Sequence, residues 1–189
     1  MAFSNCRDDV ITQARQARKE GRPLDLGGRD LSGVDLSGLD LSRAYLRGSR
    51  LCGANLTGVD LTGAELSHAD LGEAVLAGAK LSRATLSRAR LWSADLSDAD
   101  LSHASLNEAR VKKANFTGAN LTRVWFAGSS VVAGQLYDCR GLDPKRGNHE
   151  LPAGVWDELL SSDTPGRLRV AQLLGKWEGT VRQAVAQVT

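Results

Sequence analysis

Between Leu26 and Leu136 every fifth residue is apolar, in 23 consecutive instances, and leucine fills all of these positions except Val111, Phe116, Phe126 and Val131. A five-residue period belongs to neither regular secondary structure. Five steps of about 100° would scatter the leucines around an α-helix, and along a flat strand they would alternate between the two faces. One shared interior requires a chain that runs extended for about three residues, bends, and repeats. Two residues before each leucine stands a second small or apolar position, alanine in all twelve cases from Ala64 to Ala119. With the central residue called i, positions i−2 and i are expected to point inward. Positions i−1, i+1 and i+2 then face water, and they carry Asp, Asn, Ser, Thr, Gly, Arg and Lys.

The chain divides into three parts on this basis. Residues 1–23 predict a short capping helix over 5–20, with Ser4 or Asn5 as its cap, Asp8 and Asp9 in its first turn and Arg15, Arg18 and Lys19 in its last. Gly21 and Pro23 stop it, and Val10, Ile11, Ala14 and Ala17 form its apolar side. Residues 24–138 are the repeat array, and 139–189 break the pattern into a loop followed by helical segments. In the last of these, Val170, Leu174, Trp177 and Val181 form a stripe at spacings of three and four. The stripe is read as a cover for the rod end or a contact between two chains.

The net charge of +2 is evenly shared, residues 24–138 holding 12 basic and 13 acidic residues, so no global pull toward nucleic acid or anionic lipid is expected. Cys6, Cys52 and Cys139 are too few and too far apart for a disulfide framework. The first residues lack the apolar core of a signal peptide, and no stretch approaches the length of a membrane span. A cytoplasmic protein of a bacterium is the expectation, with secretion by a route that uses no cleaved signal peptide as the alternative.

The unit A(D/N)LXX, seen as ANLTG (54–58), ADLGE (69–73), ADLSD (94–98), ADLSH (99–103), ANFTG (114–118) and ANLTR (119–123), closely resembles the pentapeptide repeat family. The resemblance implies an all-β solenoid, a right-handed quadrilateral β-helix. Each pentapeptide is one side of a square and four sides make a coil, about six coils in all, with the helical segments covering both ends. Position n then lies over n+20, at the ~4.8 Å spacing of paired strands.

That stacking turns the sequence into a surface map. One column reads Arg43, Gly63, Arg83, His103, Arg123; the next side adds Arg47 and Arg88 and, around its corner, Arg50, Arg90 and Arg110, with Lys112 and Lys113 beyond. The other two sides carry Asp35, Asp40, Asp60, Asp95, Asp98 and Asp100, with Lys80 as the main exception. An electrically two-sided rod is expected, although mixed charges also serve simply to keep a repeat protein soluble. Tyr45 and Trp125 fall in one outward column and Trp92 projects from the neighbouring side, as candidate contacts.

No catalytic constellation assembles. His68, His103 and His149 are dispersed, no metal-ligand spacing occurs, and Asp95, Asp98 and Asp100 match no calcium-loop motif. No cofactor, metal or small-molecule substrate is expected. The leading reading is a non-enzymatic module binding an unidentified protein partner through the rod surface. A second comes from relatives that imitate DNA and protect DNA gyrase and topoisomerase IV from quinolones. Those resemble strongly acidic rods with many Phe at i, usually dimerised at the C-terminal end; here leucine dominates and the array is almost neutral. Direct DNA binding by the Arg column is a third reading, opposed by the interleaved acids.

Overall fold

The computed structural model describes residues 7–136, 138–142, 151, 152, 154 and 155. The chain winds with a register of 20 residues: every parallel bridge joins n to n+20, from Asp25–Tyr45 at one end to Asn120–Arg140 at the other. The bridged residue is always the one before the central apolar position. Each side contributes a single bridged residue rather than a run of them, because the chain bends before a second pair can form. The sides are therefore too short to be strands in the ordinary sense.

The bend has one geometry throughout. At every i+2 position from Gly28 to Gly128, φ lies between 54° and 71°, and the N–H of the next residue closes back onto the carbonyl of residue i. A positive φ at the third residue only is the signature of a type II turn. Eleven of these positions are held by residues other than glycine.

Backbone donors are accounted for completely in the pentapeptide around Leu61. The N–H groups of Leu61 and Gly63 donate to Lys80 O and Ser82 O of the following coil, at 2.8 and 2.9 Å; that of Asp60 donates back to Leu39 O at 2.8 Å; that of Ala64 closes the bend on Leu61 O at 3.0 Å. The fifth, on Thr62, is taken by the Oδ1 of Asp60 at 3.0 Å. Buried or constrained N–H groups left without acceptors are costly, and a side-chain carboxyl or amide two residues back is the local remedy. The same bond recurs from the Gly27 N–H to Asp25, from the Thr57 N–H to Asn55 and from the Thr122 N–H to Asn120. This is the physical reason for Asp or Asn before the leucine.

Inside, the i and i−2 side chains form one continuous core, with the leucines at position i from Leu26 to Leu136 at most 1% exposed and Leu39, at an i−2 position of the first coil, only partly buried. Burying each leucine contributes roughly 1.5–3 kcal/mol. The inward rule has polar exceptions. Ser49 is buried but donates its hydroxyl to Leu46 O at 2.8 Å. Arg29 occupies an i−2 position where a small or apolar residue is expected; its guanidinium turns to α1 and meets Asp9 at 2.7 Å and Gln13 at 2.9 Å.

That first helix, α1, spans Arg7–Lys19 and covers the starting edge. Val10 and Ala17 are wholly buried in the common core. The helix ends in a Schellman motif: Gly21 at φ 66° donates to Arg18 O and Arg22 donates to Ala17 O. The first coil has no preceding coil to donate to its carbonyls. Arg7 supplies that donation, bonding Asp35 O and Ser37 O at 2.9 Å each, and Arg18 pairs with Asp40. An open sheet edge is thereby blunted.

At the far end the pattern departs from a plain continuation of the array. Residues Ala133–Gln135 form a single 3₁₀ turn, and the Gln135 amide, expected to face water, donates to Val111 O and Ala114 O. The lattice then resumes two residues beyond the boundary read at 138. Cys139 is buried inward and Arg140 bridges to Asn120. Burial, and secondarily the charge of Asp138, pushes the Cys139 thiol up to about 12. Ser4, Asn5 and the stripe Val170, Leu174, Trp177 and Val181 lie outside the described residues. Among the described residues no helix is long and apolar enough to cross a membrane.

Candidate functional site

The register of 20 sorts the outward side chains into four faces. Face 1 carries the pentapeptides centred on residues 26, 46, 66, 86, 106 and 126; face 2 follows from 31, face 3 from 36 and face 4 from 41. On face 1 the bridged column is Asp25, Tyr45, Glu65, Thr85, Ser105, Trp125. Tyr45 is 50% exposed and Trp125 38%. Face 4 ends, at the corner it shares with face 1, in the column Arg43, Gly63, Arg83, His103, Arg123, all exposed. The structure thus brings the first Arg column and two of the three candidate aromatics onto one edge, separated by a single buried residue such as Ala44.

The other basic residues are placed differently. Arg50, Arg90 and Arg110 share the bridged column of face 2 with Asp30 and Asp70. Arg50 pairs with Asp30 and Arg90 with Asp70, both at 3.6 Å. Arg88 makes a two-pronged contact with Glu108, at 2.9 and 3.0 Å, and the same contact lowers the Glu108 carboxyl and raises the Arg88 guanidinium. Lys80 stands 3.8 Å from Asp60. The simple division into a basic and an acidic half is therefore diluted by ladders of alternating sign running up the rod. Exposed pairs of this kind are screened by solvent and contribute little to stability. By contrast, among the described residues no ion pair engages Arg43, Arg83 or Arg123.

Asp95, Asp98 and Asp100 lie along faces 3 and 4 and the corner between them. Asp95 accepts from the Ser97 N–H and the Asn115 amide, and Asp100 from the Ser102 N–H and the Asn120 amide. Asp98 sits at a bend, with φ 55°, and its carboxyl overhangs Gly118. Two of the three are thus committed to the turns. Among the described residues no group of three or more His, Cys, Asp or Glu is placed to hold a metal ion. Trp92, 43% exposed on face 2, lays its indole over Gly72, closer than any Cβ there would tolerate. Cys52, one coil before Gly72 in the same column, is half-buried, and its thiol is raised by burial and by Asp70.

Sequence reasoning missed Arg29, whose role depends on α1 lying across the first coil. The only signal was its polarity in an inward column.

The family model for pentapeptide repeats matches residues 30–67, 54–92 and 94–130, in 8 copies. Among curated proteins no sequence matches. Among solved structures the chain is similar to a pentapeptide repeat protein from the Arabidopsis thaliana thylakoid lumen (37% identity, 53% of this chain and 66% of that one, TM-score 0.32). It is also similar to HetL of the cyanobacterium Nostoc, involved in heterocyst differentiation regulation (33% identity, 59% and 63%, TM-score 0.28). A third likeness is to QnrB1, a plasmid-mediated fluoroquinolone resistance protein (20% identity, 61% and 64%, TM-score 0.30). The chain spans just under two thirds of the length of each. The repeat match, which covers more than half of the residues, is decisive by itself: the chain belongs to the pentapeptide repeat family, whose members fold as right-handed β-helix solenoids.

Proposed function

We propose that this protein is a non-enzymatic binding module, its rigid rod holding a protein partner along the corner between faces 4 and 1. The supporting observation is the placement of Arg43, Arg83 and Arg123. Each occupies a bend at positive φ, between 56° and 60°, that the second coil gives to Gly63 and the fourth to His103. A left-handed conformation costs a side-chain-bearing residue about 1–2 kcal/mol, and within the described residues none of the three recovers it through an ion pair. Exposed Tyr45 and Trp125 stand beside them, and Arg, Tyr and Trp are the residue types that dominate binding energy at protein interfaces.

The DNA-mimic alternative has less to stand on. A duplex presents a charge every ~1.7 Å of its axis, whereas Asp95 and Asp100 are tied into turns and the array is nearly neutral. The test is capture of partners from the native host on immobilised protein, identified by mass spectrometry, with the Arg43→Glu/Arg123→Glu variant alongside. A protein retained by the wild type and lost by the variant is expected. Retention of no protein above the bead control would overturn the reading. Protection of gyrase supercoiling from a quinolone would favour the alternative.

A further inference from the structure

We infer that the face 4–face 1 corner is a track for an acidic amphipathic α-helix laid along the rod axis. This rests on the protein-binding reading and specifies the partner's shape and charge. The argument is one of matching periods. Arg43, Arg83 and Arg123 recur every second coil, so at ~4.8 Å per coil they are about 10 Å apart. An α-helix rises 1.5 Å per residue, so its residues at i, i+7 and i+14 share one face at intervals of about 10.5 Å. Three carboxylates at that spacing meet three guanidiniums over a span of about 20 Å without bending either element.

The aromatic residues obey the same metric. Tyr45 lies level with Arg43 and Trp125 level with Arg123, four coils apart, or about 19 Å. Two apolar residues fourteen apart on the same helix cover that distance to within about 2 Å. Between them the column is Glu65, Thr85 and Ser105, half-buried side chains that leave the track low. Glu65 falls at the level where the Arg column is interrupted by Gly63, so the acidic partner meets a carboxylate only where it needs no cation. Moreover, Glu65 Oε1 already accepts the Ser67 N–H at 2.9 Å. A straight nucleic-acid strand is the poorer fit. Its phosphates recur more closely than every second coil, and an acid in the track opposes them.

The experiment uses the full chain and two synthetic Ala-rich helical peptides of one composition. One has Glu at every seventh position with Leu fourteen apart; the other has Glu at every fifth position, which disperses the charge around the helix. Fluorescence anisotropy at moderate salt is expected to show at least tenfold tighter binding of the seven-spaced peptide. Arg83→Glu should cost that binding at least tenfold, while Arg110→Glu, the same charge change on face 2, should alter it less than twofold. Circular dichroism confirms that both variants are folded, and Arg83→Ala provides a milder second test of the same contact. Equal binding of the two peptides, equal loss in both Glu variants, or tighter binding of a short DNA duplex that depends on Arg83 would each overturn the inference. Failure of both peptides while a host protein is still captured through these arginines would reject the helix track and leave the protein-binding reading standing. Failure of capture as well would remove both.

Discussion

At the scale of the residue, this fold depends on two positions that the core does not include. The first is i+2, where the backbone is left-handed whatever the side chain. Gly58 is an instructive case, with φ 62° and open space where a Cβ would project. Gly58→Ala therefore tests conformation alone, and a loss of about 1 kcal/mol is expected in chemical denaturation. Ser93→Gly, at φ 54°, should be neutral or slightly stabilising, since relief of the left-handed strain is offset by the greater entropy of glycine in the unfolded chain. The second position is i−1, whose Asp or Asn accepts the i+1 N–H. Asp60→Ala should cost about 1 kcal/mol, and Asp60→Asn, which keeps an acceptor oxygen, should cost much less. Equal losses in the two variants would show that charge, rather than the turn bond, is what Asp60 contributes.

At the scale of the element, α1 and the coil it covers share a set of carboxylates with lowered proton affinity. The Asp9 carboxyl is held down by hydrogen bonds from Arg29 and Gln13. Asp30 and Asp35 are lowered by bonds from Ser32 and Ser37. At Asp40 burial opposes the effect, but Ser42 and Arg18 outweigh it. All four folded values lie below the ordinary aspartate value of 3.8. Their stabilisation is therefore complete above that value and is lost as pH falls through the lowered folded values. The melting temperature should be flat from neutrality to about pH 5 and fall below about pH 4. Hydrogen exchange in acid should show α1 amides losing protection before those of the coils around Leu81. The helix itself was legible in the sequence, as were its apolar side and its Gly21 stop. Its polar docking was not, because Arg7 and Arg29 act on groups brought near only when the first coil closes. The 3₁₀ turn at Ala133–Gln135 escaped for a similar reason: Leu136 keeps the five-residue beat, so the period alone gives no sign that the path between changes.

For the whole molecule, stability comes from stacking rather than from any one coil. Leu81 is completely buried, and the register places Leu61 and Leu101 on either side of it. Leu81→Arg would put an unpaired charge into a dry column, and a loss of about 4 kcal/mol or more, or failure to fold, is expected by circular dichroism. An unchanged melt would contradict the inward assignment. Columns are readable from the sequence once n is set over n+20, and that register aligns Arg43, Arg83 and Arg123 along one edge. The ion-pair ladders of face 2 emerge only when each side chain is set against its vertical neighbours rather than grouped by sign: Arg50 stands between Asp30 and Asp70. The same register has a consequence for how such chains can diversify. Insertion or loss of twenty residues adds or removes one storey and leaves every façade facing the same way. A change of five would keep the interior equally well filled, yet it would rotate everything above it by a quarter turn and carry Arg123 and Trp125 away from Arg43 and Tyr45. Length variation in this protein is thus quantised for the alignment of its surface columns in steps four times larger than for folding.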